Sequence, residues 1–330
     1  MSALPSLLAA LKGGDRRALA RAITLVESTR PDHREEAERL VEAILPFAGG
    51  SVRIGVSGPP GAGKSTFIEA FGRAGLERGR RIAVLALDPG SKRGGGAILG
   101  DKTRMAFLAS APEAFIRPSS AGVIEGGVGR RTREAILLCE AAGFDAVLVE
   151  TVGAGQSETA VSEMADMLIV ILSPAGGDEL QGLKRGILEV ADMILINKAD
   201  GELAPLARRA EAEYRSALRL LRPPCPEWQV PVRAVSALEG TGIAAIWEDV
   251  ERFRAVAEAS NGWAERRALQ ARRALWSEIE ESLLERLRAA PQLARRLRLE
   301  EAEVTAGKRS PWAAARTLIS LFLGENPASK

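Results

Sequence analysis

The sequence predicts an α/β fold, a mostly parallel sheet flanked by helices, with further helical extensions at the N-terminal and C-terminal ends. Two observations carry that expectation. Between Ser51 and Ala259, short apolar runs alternate with helical stretches: Val52–Val56, Ile82–Leu87, Val147–Val149, Leu168–Leu172, Met193–Ile196 and Val230–Val235. Continuous apolar runs of this length suit strands buried on both faces, and their alternation with helices suits a parallel sheet built from right-handed crossovers. Outside this region the periodicity is helical throughout.

The N-terminal extension, residues 1–48, reads as helices. Asp15 is placed to cap a helix through Leu19, Ile23 and Val26, and Asp32 with Glu35 has capping-box spacing ahead of Leu40, Val41 and Ile44. Pro46 and Gly49–Gly50 break the pattern and open the central domain, residues 49–260. Asn261–Gly262 closes it, and residues 261–330 form a helical arm. Its long helix, 263–290, lines Leu269, Trp276, Ile279 and Leu283 along one side, with Arg272 and Arg286 interrupting the seam.

Composition narrows the function. The chain has 330 residues, 46% of them apolar and 27% charged, enough for a sizeable core and a wet surface. Lys and Arg number 45 against 43 Asp and Glu, a formal charge of +2. Nucleic-acid binding through many phosphates needs a larger basic excess, so Arg16–Arg17, Arg130–Arg131 and Arg272–Arg273 read as solvated helix faces. His33 is the only histidine, and Cys139 and Cys225 are the only cysteines, which speaks against a His/Cys metal cage and a His general base. No apolar run reaches 18 residues and the N-terminus is too mixed for a secretory signal, so a cytoplasmic protein without a membrane span is expected.

Gly58-Pro59-Pro60-Gly61-Ala62-Gly63-Lys64-Ser65 matches G-x-x-x-x-G-K-[ST] directly after the first apolar run and at the start of a helix, the context of a P-loop NTPase. Backbone N–H groups of such a loop curl around phosphates, and the helix N-terminus adds positive potential. Gly58, Gly61, Ala62, Gly63, Lys64, Ser65 and Thr66 form the expected phosphate set, Lys64 reaching the β- and γ-phosphates and the Ser65 hydroxyl binding Mg²⁺. Asn197-Lys198-Ala199-Asp200 follows the run Met193–Ile196. A carboxylate at Asp200 can accept from guanine N1–H and the 2-amino group, donors that adenine lacks, and a mispaired polar group discriminates strongly. Asn197 would tie this loop to the P-loop and Lys198 would lie along the base. Ser236-Ala237-Leu238 resembles the loop that supports the guanine carbonyl. GTP and GDP are therefore the expected nucleotides.

Three carboxylates stand where Mg²⁺ and water would be handled. Glu150, at the end of Val147–Val149, suits an acid near the metal, with Gly153 sensing the γ-phosphate. Asp88, after Ile82–Leu87, suits orienting water or a magnesium-bound water. Asp101 is the best candidate for an acid that swings onto the metal, and Lys102 or Arg104 could add positive charge. No glutamine sits beside Gly153; Gln156 is three residues on. Slow turnover without a partner is expected.

These motifs and their flanks resemble the MeaB/ArgK GTPases, companions of methylmalonyl-CoA mutase. The resemblance runs from about residue 13 to 260 and includes Ile98–Met105, Phe115–Ser119, Leu138–Asp145, Val149–Glu158 and Gly177–Lys184. Gly90, Gly94 and Ala97 depart from it, standing where that family usually carries hydroxyl side chains. The resemblance implies that Asp88, Asp101 and Glu150 surround Mg²⁺, and that the chain forms a homodimer partly through its C-terminal arm. It also implies that Ser173–Lys184 is an extra switch, and that GTP turnover gates adenosylcobalamin loading and protection of a cobalamin-dependent acyl-CoA mutase. A P-loop kinase and a metal-insertion GTPase are the alternatives. The base-reading pair Asn197/Asp200 counts against the first, and the shortage of His and Cys against the second.

Overall fold

The computed structural model describes residues 4–28, 30–87, 105–119, 127–151, 157–174, 185–219 and 227–324. Seven strands, β1 (Val52–Ser57), β2 (Ile82–Leu87), β3 (Ala114–Ser119), β4 (Ala146–Thr151), β5 (Met167–Leu172), β6 (Met193–Ile196) and β7 (Val232–Ala234), form one sheet in the order β3-β2-β4-β1-β5-β6-β7. Every pairing in it is parallel. The expected runs all contain strands, though the last shortens from Val230–Val235 to Val232–Ala234. β3 was not among them. Its apolar signal is brief and it contains Pro118, which a strand tolerates at a sheet edge, where β3 lies.

Successive residues of each strand point to opposite faces, which makes two cores. One face carries Ala83, Leu85, Val147, Val149, Leu168, Val170, Ile194 and Ile196, covered by α1 (Leu4–Lys12), α2 (Arg16–Glu27), α3 (Pro31–Ile44) and α6 (Gly127–Ala141). The N-terminal extension is thus continuous with the sheet's core: Leu11, Leu19, Ile23, Leu40 and Ile44 are fully buried. Asp15 caps α2 as expected, its carboxylate accepting from Arg17 N (2.7 Å) and Ala18 N (2.9 Å). The Asp32/Glu35 capping box does not form. Pro31 begins α3, so the cap position falls on Arg30, and the Asp32 carboxylate pairs with the Arg30 guanidinium instead. Arg16 is half-buried and donates to the Ala111 carbonyl oxygen (3.0 Å), unlike the solvated residue expected.

The opposite face buries Ile54, Val56, Val84, Leu148, Ile169 and Leu195 beneath α4 (Lys64–Glu77), α5 (Ala106–Ser110) and α10 (Ile243–Ala259). Here Trp247 stacks on Phe71 of α4 (4.3 Å between centroids, 8° between planes), and its Nε1 donates to the Phe71 carbonyl oxygen at 2.9 Å. Phe71 in turn stacks on Phe67 (5.3 Å), so α4 is held rigidly behind its first turn. Three further helices complete this unit, α7 (Ser157–Ser162), α8 (Arg185–Val190) and α9 (Ala204–Leu218), and Val161 of α7 with Ala207 and Tyr214 of α9 belong to the first core.

The chain divides into compact units Met1–Ala271 and Arg272–Lys330. The boundary lies inside α11 (Gly262–Ala289), whereas the sequence starts the arm at residue 261. The first turns of α11 belong with the sheet because Arg266, Arg267 and Gln270 bond to its loops and strand ends. The second unit contains α12 (Pro291–Thr305) and α13 (Pro311–Phe322), bridged by Arg309, whose guanidinium donates to the buried Glu300 carboxylate of α12 (2.9 Å) and to Thr317 Oγ1 of α13 (2.6 Å). Among the described residues no helix is long and apolar enough to cross a membrane.

Candidate nucleotide-binding site

The loop from Gly58 to Gly63 joins the end of β1 to the start of α4. Two of its glycines are required by close approach. Gly58 has φ 146°, and a Cβ there would lie 2.1 Å from the Ile171 carbonyl oxygen of β5; at Gly63 (φ 91°) a Cβ would lie 2.5 Å from Asn197 Nδ2. Gly63 is also the N-cap of α4, which has neither a side-chain cap nor an acid in its first turn. No capping side chain or acid of the helix itself therefore competes for its first N–H groups and the positive end of its dipole. Lys64 is buried, and its ammonium donates to the carbonyl oxygens of Gly58 (2.9 Å) and Pro59 (3.1 Å). Thr66 is exposed one residue beyond Ser65.

Ser65 meets Glu150 because β1 and β4 are neighbours in a register that pairs Val56 with Glu150. Ser65 Oγ donates to Glu150 Oε1 at 2.8 Å, and the glutamate is buried at the carboxyl end of β4. A hydroxyl and a carboxylate in contact form a hard-oxygen pair, the donor chemistry that Mg²⁺ prefers. Thr151 follows, its hydroxyl 3.3 Å from Ser57 Oγ.

The loop expected to read the base is built at the ends of β6 and β7. Asn197 is buried; its Nδ2 donates to the Ala62 carbonyl oxygen (2.9 Å), and its Oδ1 accepts from Ala237 N (3.0 Å). One side chain thereby fastens the phosphate loop, the Asn197–Asp200 loop and the Ser236–Leu238 loop together. Lys198 adopts a left-handed backbone (φ 61°), unusual for a residue with a side chain, which turns the chain between Asn197 and Ala199. Ala199 N then donates to the Val235 carbonyl oxygen (3.0 Å). Ser236, fully buried, donates its hydroxyl to Asp200 Oδ2 and accepts from Glu239 N (3.1 Å). The linear chain shows Ser236 only as part of a loop placed to support the guanine carbonyl, and the sole signal for its hold on Asp200 is a small hydroxyl at a strand end. Ala237 is buried, and Leu238 is 79% exposed.

The described site thus brings together Gly58, Gly61, Ala62, Gly63, Lys64, Ser65, Thr66, Glu150, Asn197, Lys198, Asp200, Ser236, Ala237 and Leu238, all at or beyond the carboxyl ends of strands. Asp88, Asp101, Gly153 and Gln156 lie outside the described residues, as does most of the Ser173–Lys184 segment.

A phosphate loop and a base loop locked to one another invite comparison with known proteins. The family model described as Methylmalonyl Co-A mutase-associated GTPase MeaB matches residues 19–292. The chain belongs to the MeaB family. It is 48% identical over 277 residues to GTPase ArgK of Escherichia coli, spanning 84% of each chain. It is 46% identical over 326 residues to the mitochondrial methylmalonic aciduria type A homolog of Mus musculus, covering 96% of this chain and 79% of that one. A solved structure, the crystal structure of LAO/AO transport system kinase, superposes with a TM-score of 0.77 at 40% identity, covering 97% of this chain and 98% of the other. The MeaB relatives are named GTPases, so guanine-nucleotide binding and GTP hydrolysis are properties of the family to which the site belongs.

Proposed function

We propose that this MeaB chain binds and hydrolyses GTP with Mg²⁺ and serves as chaperone of a cobalamin-dependent acyl-CoA mutase of the methylmalonyl-CoA mutase type. Turnover is coupled to loading of adenosylcobalamin on that mutase and to its protection. The observation that carries the nucleotide part is the Asn197 side chain, bonded to Ala62 on one side and Ala237 on the other. The mutase part is supported by the family description.

In this reading the N–H groups of Gly61 to Ser65 and the Lys64 ammonium receive the phosphates, exchanging the Gly58 and Pro59 carbonyl contacts for phosphate oxygens. Ser65 and Glu150, with Asp88 and Asp101, would hold Mg²⁺, which would neutralise the charge that develops on the phosphate. Asp200 accepts from the guanine edge, oriented by Ser236. Water attacks the γ-phosphate in line, positioned by Asp88 or by a group that the partner supplies. The chain acts as a homodimer through residues 261–330, a role supported by exposed Leu275, Trp276 and Leu283 on α11 and Trp312 on α13.

GTP turnover by the purified chain, with and without the cobalamin mutase from the same source, tests this. Release of inorganic phosphate, accelerated by the mutase, is expected. Transfer of labelled γ-phosphate to an acceptor other than water would overturn the hydrolase, and normal turnover indifferent to the mutase would overturn the chaperone role.

A further inference from the structure

The Ser162–Asp166 turn, which runs from the end of α7 to the start of β5, is held by α11. Gln270, on α11 and only 7% exposed, donates through Nε2 to the carbonyl oxygens of Ala165 (2.8 Å) and Ser162 (3.3 Å). Arg266, one turn earlier, donates to the Asp166 carbonyl oxygen and grips the buried Asp192 carboxylate with two bonds of 3.0 Å. Arg267 grips the Asp166 carboxylate (2.7 and 2.6 Å) and reaches the carbonyl oxygens of Gly49 (2.7 Å) and Ser51 (2.8 Å). Asp166 also accepts from Arg53 N on β1 (2.8 Å).

Position gives this cluster its meaning. Asp166 immediately precedes β5, Asp192 immediately precedes β6, and Arg53 lies in β1. At their carboxyl ends these adjacent strands carry the Ile171 carbonyl that faces Gly58, then Asn197, then the phosphate loop. α7 stands on the same frame. It lies in sequence between Glu150–Thr151 and the Ser162–Asp166 turn, and it packs on β1 so closely that a Cβ at Gly55 would lie 2.5 Å from Val161 Cγ1. α7 therefore has one end on the nucleotide side of the sheet and the other in the grip of α11. A displacement of α7 that carries the Ser162–Asp166 turn with it must break the bonds from Gln270 and Arg266 to that turn or carry the first turns of α11 along.

We infer that the first turns of α11 read the nucleotide state through α7, with Gln270 as the positioning residue of the coupling, so that Gly262–Ala271 differs between the GTP and GDP forms. This rests on the proposed GTPase reading, in which Gly153, between β4 and α7, senses the γ-phosphate. Linkage makes the effect reciprocal: whatever loosens α11 unequally in the two states alters the relative affinity for the two nucleotides by the same factor.

The test uses the full chain. Hydrogen exchange of the α11 amides from Gly262 to Ala271 is followed with GDP and with guanosine 5′-(β,γ-imido)triphosphate, and both affinities are measured in the parent and in Gln270→Leu. Exchange is expected to differ between the nucleotides in the parent and to become alike in the variant. The affinity ratio should shift by about fivefold or more. A bond that only holds the fold together would change both affinities equally and leave the ratio alone. Should Gln270→Leu not fold, Arg267→Lys keeps the charge but loses the fork on Asp166, and it takes the same two measurements. A parent α11 that exchanges identically with both nucleotides, or a ratio unmoved in the folded variant, overturns the inference alone. A parent that binds no guanine nucleotide overturns the proposed function and this inference with it.

Discussion

Asn197 Nδ2 donates to the Ala62 carbonyl oxygen across 2.9 Å, a bond between residues 135 positions apart that joins the loop expected to read the base to the loop expected to hold the phosphates. Both partners are buried, so no water can substitute for the amide. Asn197→Ala leaves the Ala62 carbonyl and the Ala237 N–H unpaired, at about 1–3 kcal/mol for each. We expect GDP affinity to fall by about two orders of magnitude in titration calorimetry; a loss under about threefold would detach Asn197 from the site.

Glu150→Gln should separate binding from turnover. Gln keeps the shape and an acceptor for Ser65 Oγ but gives up the charge proposed to face Mg²⁺. Mg²⁺-dependent GTP hydrolysis should drop about a hundredfold, while GDP binding in EDTA stays within about threefold. Equal loss of both would make Glu150 a structural partner of Ser65 and nothing more.

Asp200→Asn should turn the base preference toward xanthine, which offers an acceptor where guanine has its 2-amino donor. The ratio of guanosine to xanthosine diphosphate affinity should change by about tenfold or more. Ser236→Ala should act in the guanine direction alone, costing about 1 kcal/mol of GDP binding through a less well held Asp200. Competition binding reads both variants, and unaltered selectivity in Asp200→Asn would end the base-reading assignment.

Stability should decline in alkali for an identifiable reason. Burial, and then the neighbouring Glu140 carboxylate, push the Cys139 thiol well above its ordinary 9.0. Tyr214 is pushed up to about 12 from 10.0, again mainly by burial. Both protons are held more tightly in the folded chain than in the unfolded one, so this stability is complete below about pH 9 and is lost as pH rises toward the folded values. Cys139→Ala should flatten the fall in Tm between about pH 9 and 11 relative to the parent; parallel curves in calorimetry would contradict the assignment.

Trp247 should matter for stability at a distance from the nucleotide. Its ring fills the space under α4 against Phe71. Trp247→Ala should cost about 3–5 kcal/mol in urea denaturation, and Trp247→Phe, which keeps a stacked ring but loses the bond to the Phe71 carbonyl oxygen, about 1–2 kcal/mol beyond its volume change. Equal losses would mean that the stacking contributes little.

Much of the architecture is legible in the linear chain because its signals are local. A run such as Met167–Leu172 is too apolar to face water on either side, and it is buried along its whole length. Gly58–Ser65 and Asn197–Asp200 are short segments whose backbone shape and donor set are written in consecutive residues, and Asp15 caps α2 within its own turn. Local competition also explains two departures. Pro31 shifted the start of α3 away from the capping box at Asp32, and Pro118 concealed β3, which the sheet tolerates only because it lies at an edge.

What the sequence by itself determined is therefore the strand–helix alternation and the Gly58–Ser65 and Asn197–Asp200 motifs, and with them the family. Tertiary structure alone decided which distant groups meet. The register of β1 on β4 puts Glu150 against Ser65, and the strand order puts Asn197 against Ala62. The same order gathers Asp166 and Asp192 under Arg266, Arg267 and Gln270. In the linear chain Arg266 and Arg267 look no different from Arg272 and Arg273, which are exposed. A charge is worth burying only where a partner of opposite sign is held within hydrogen-bond reach, and that partner arrives from elsewhere in the chain only when the sheet closes.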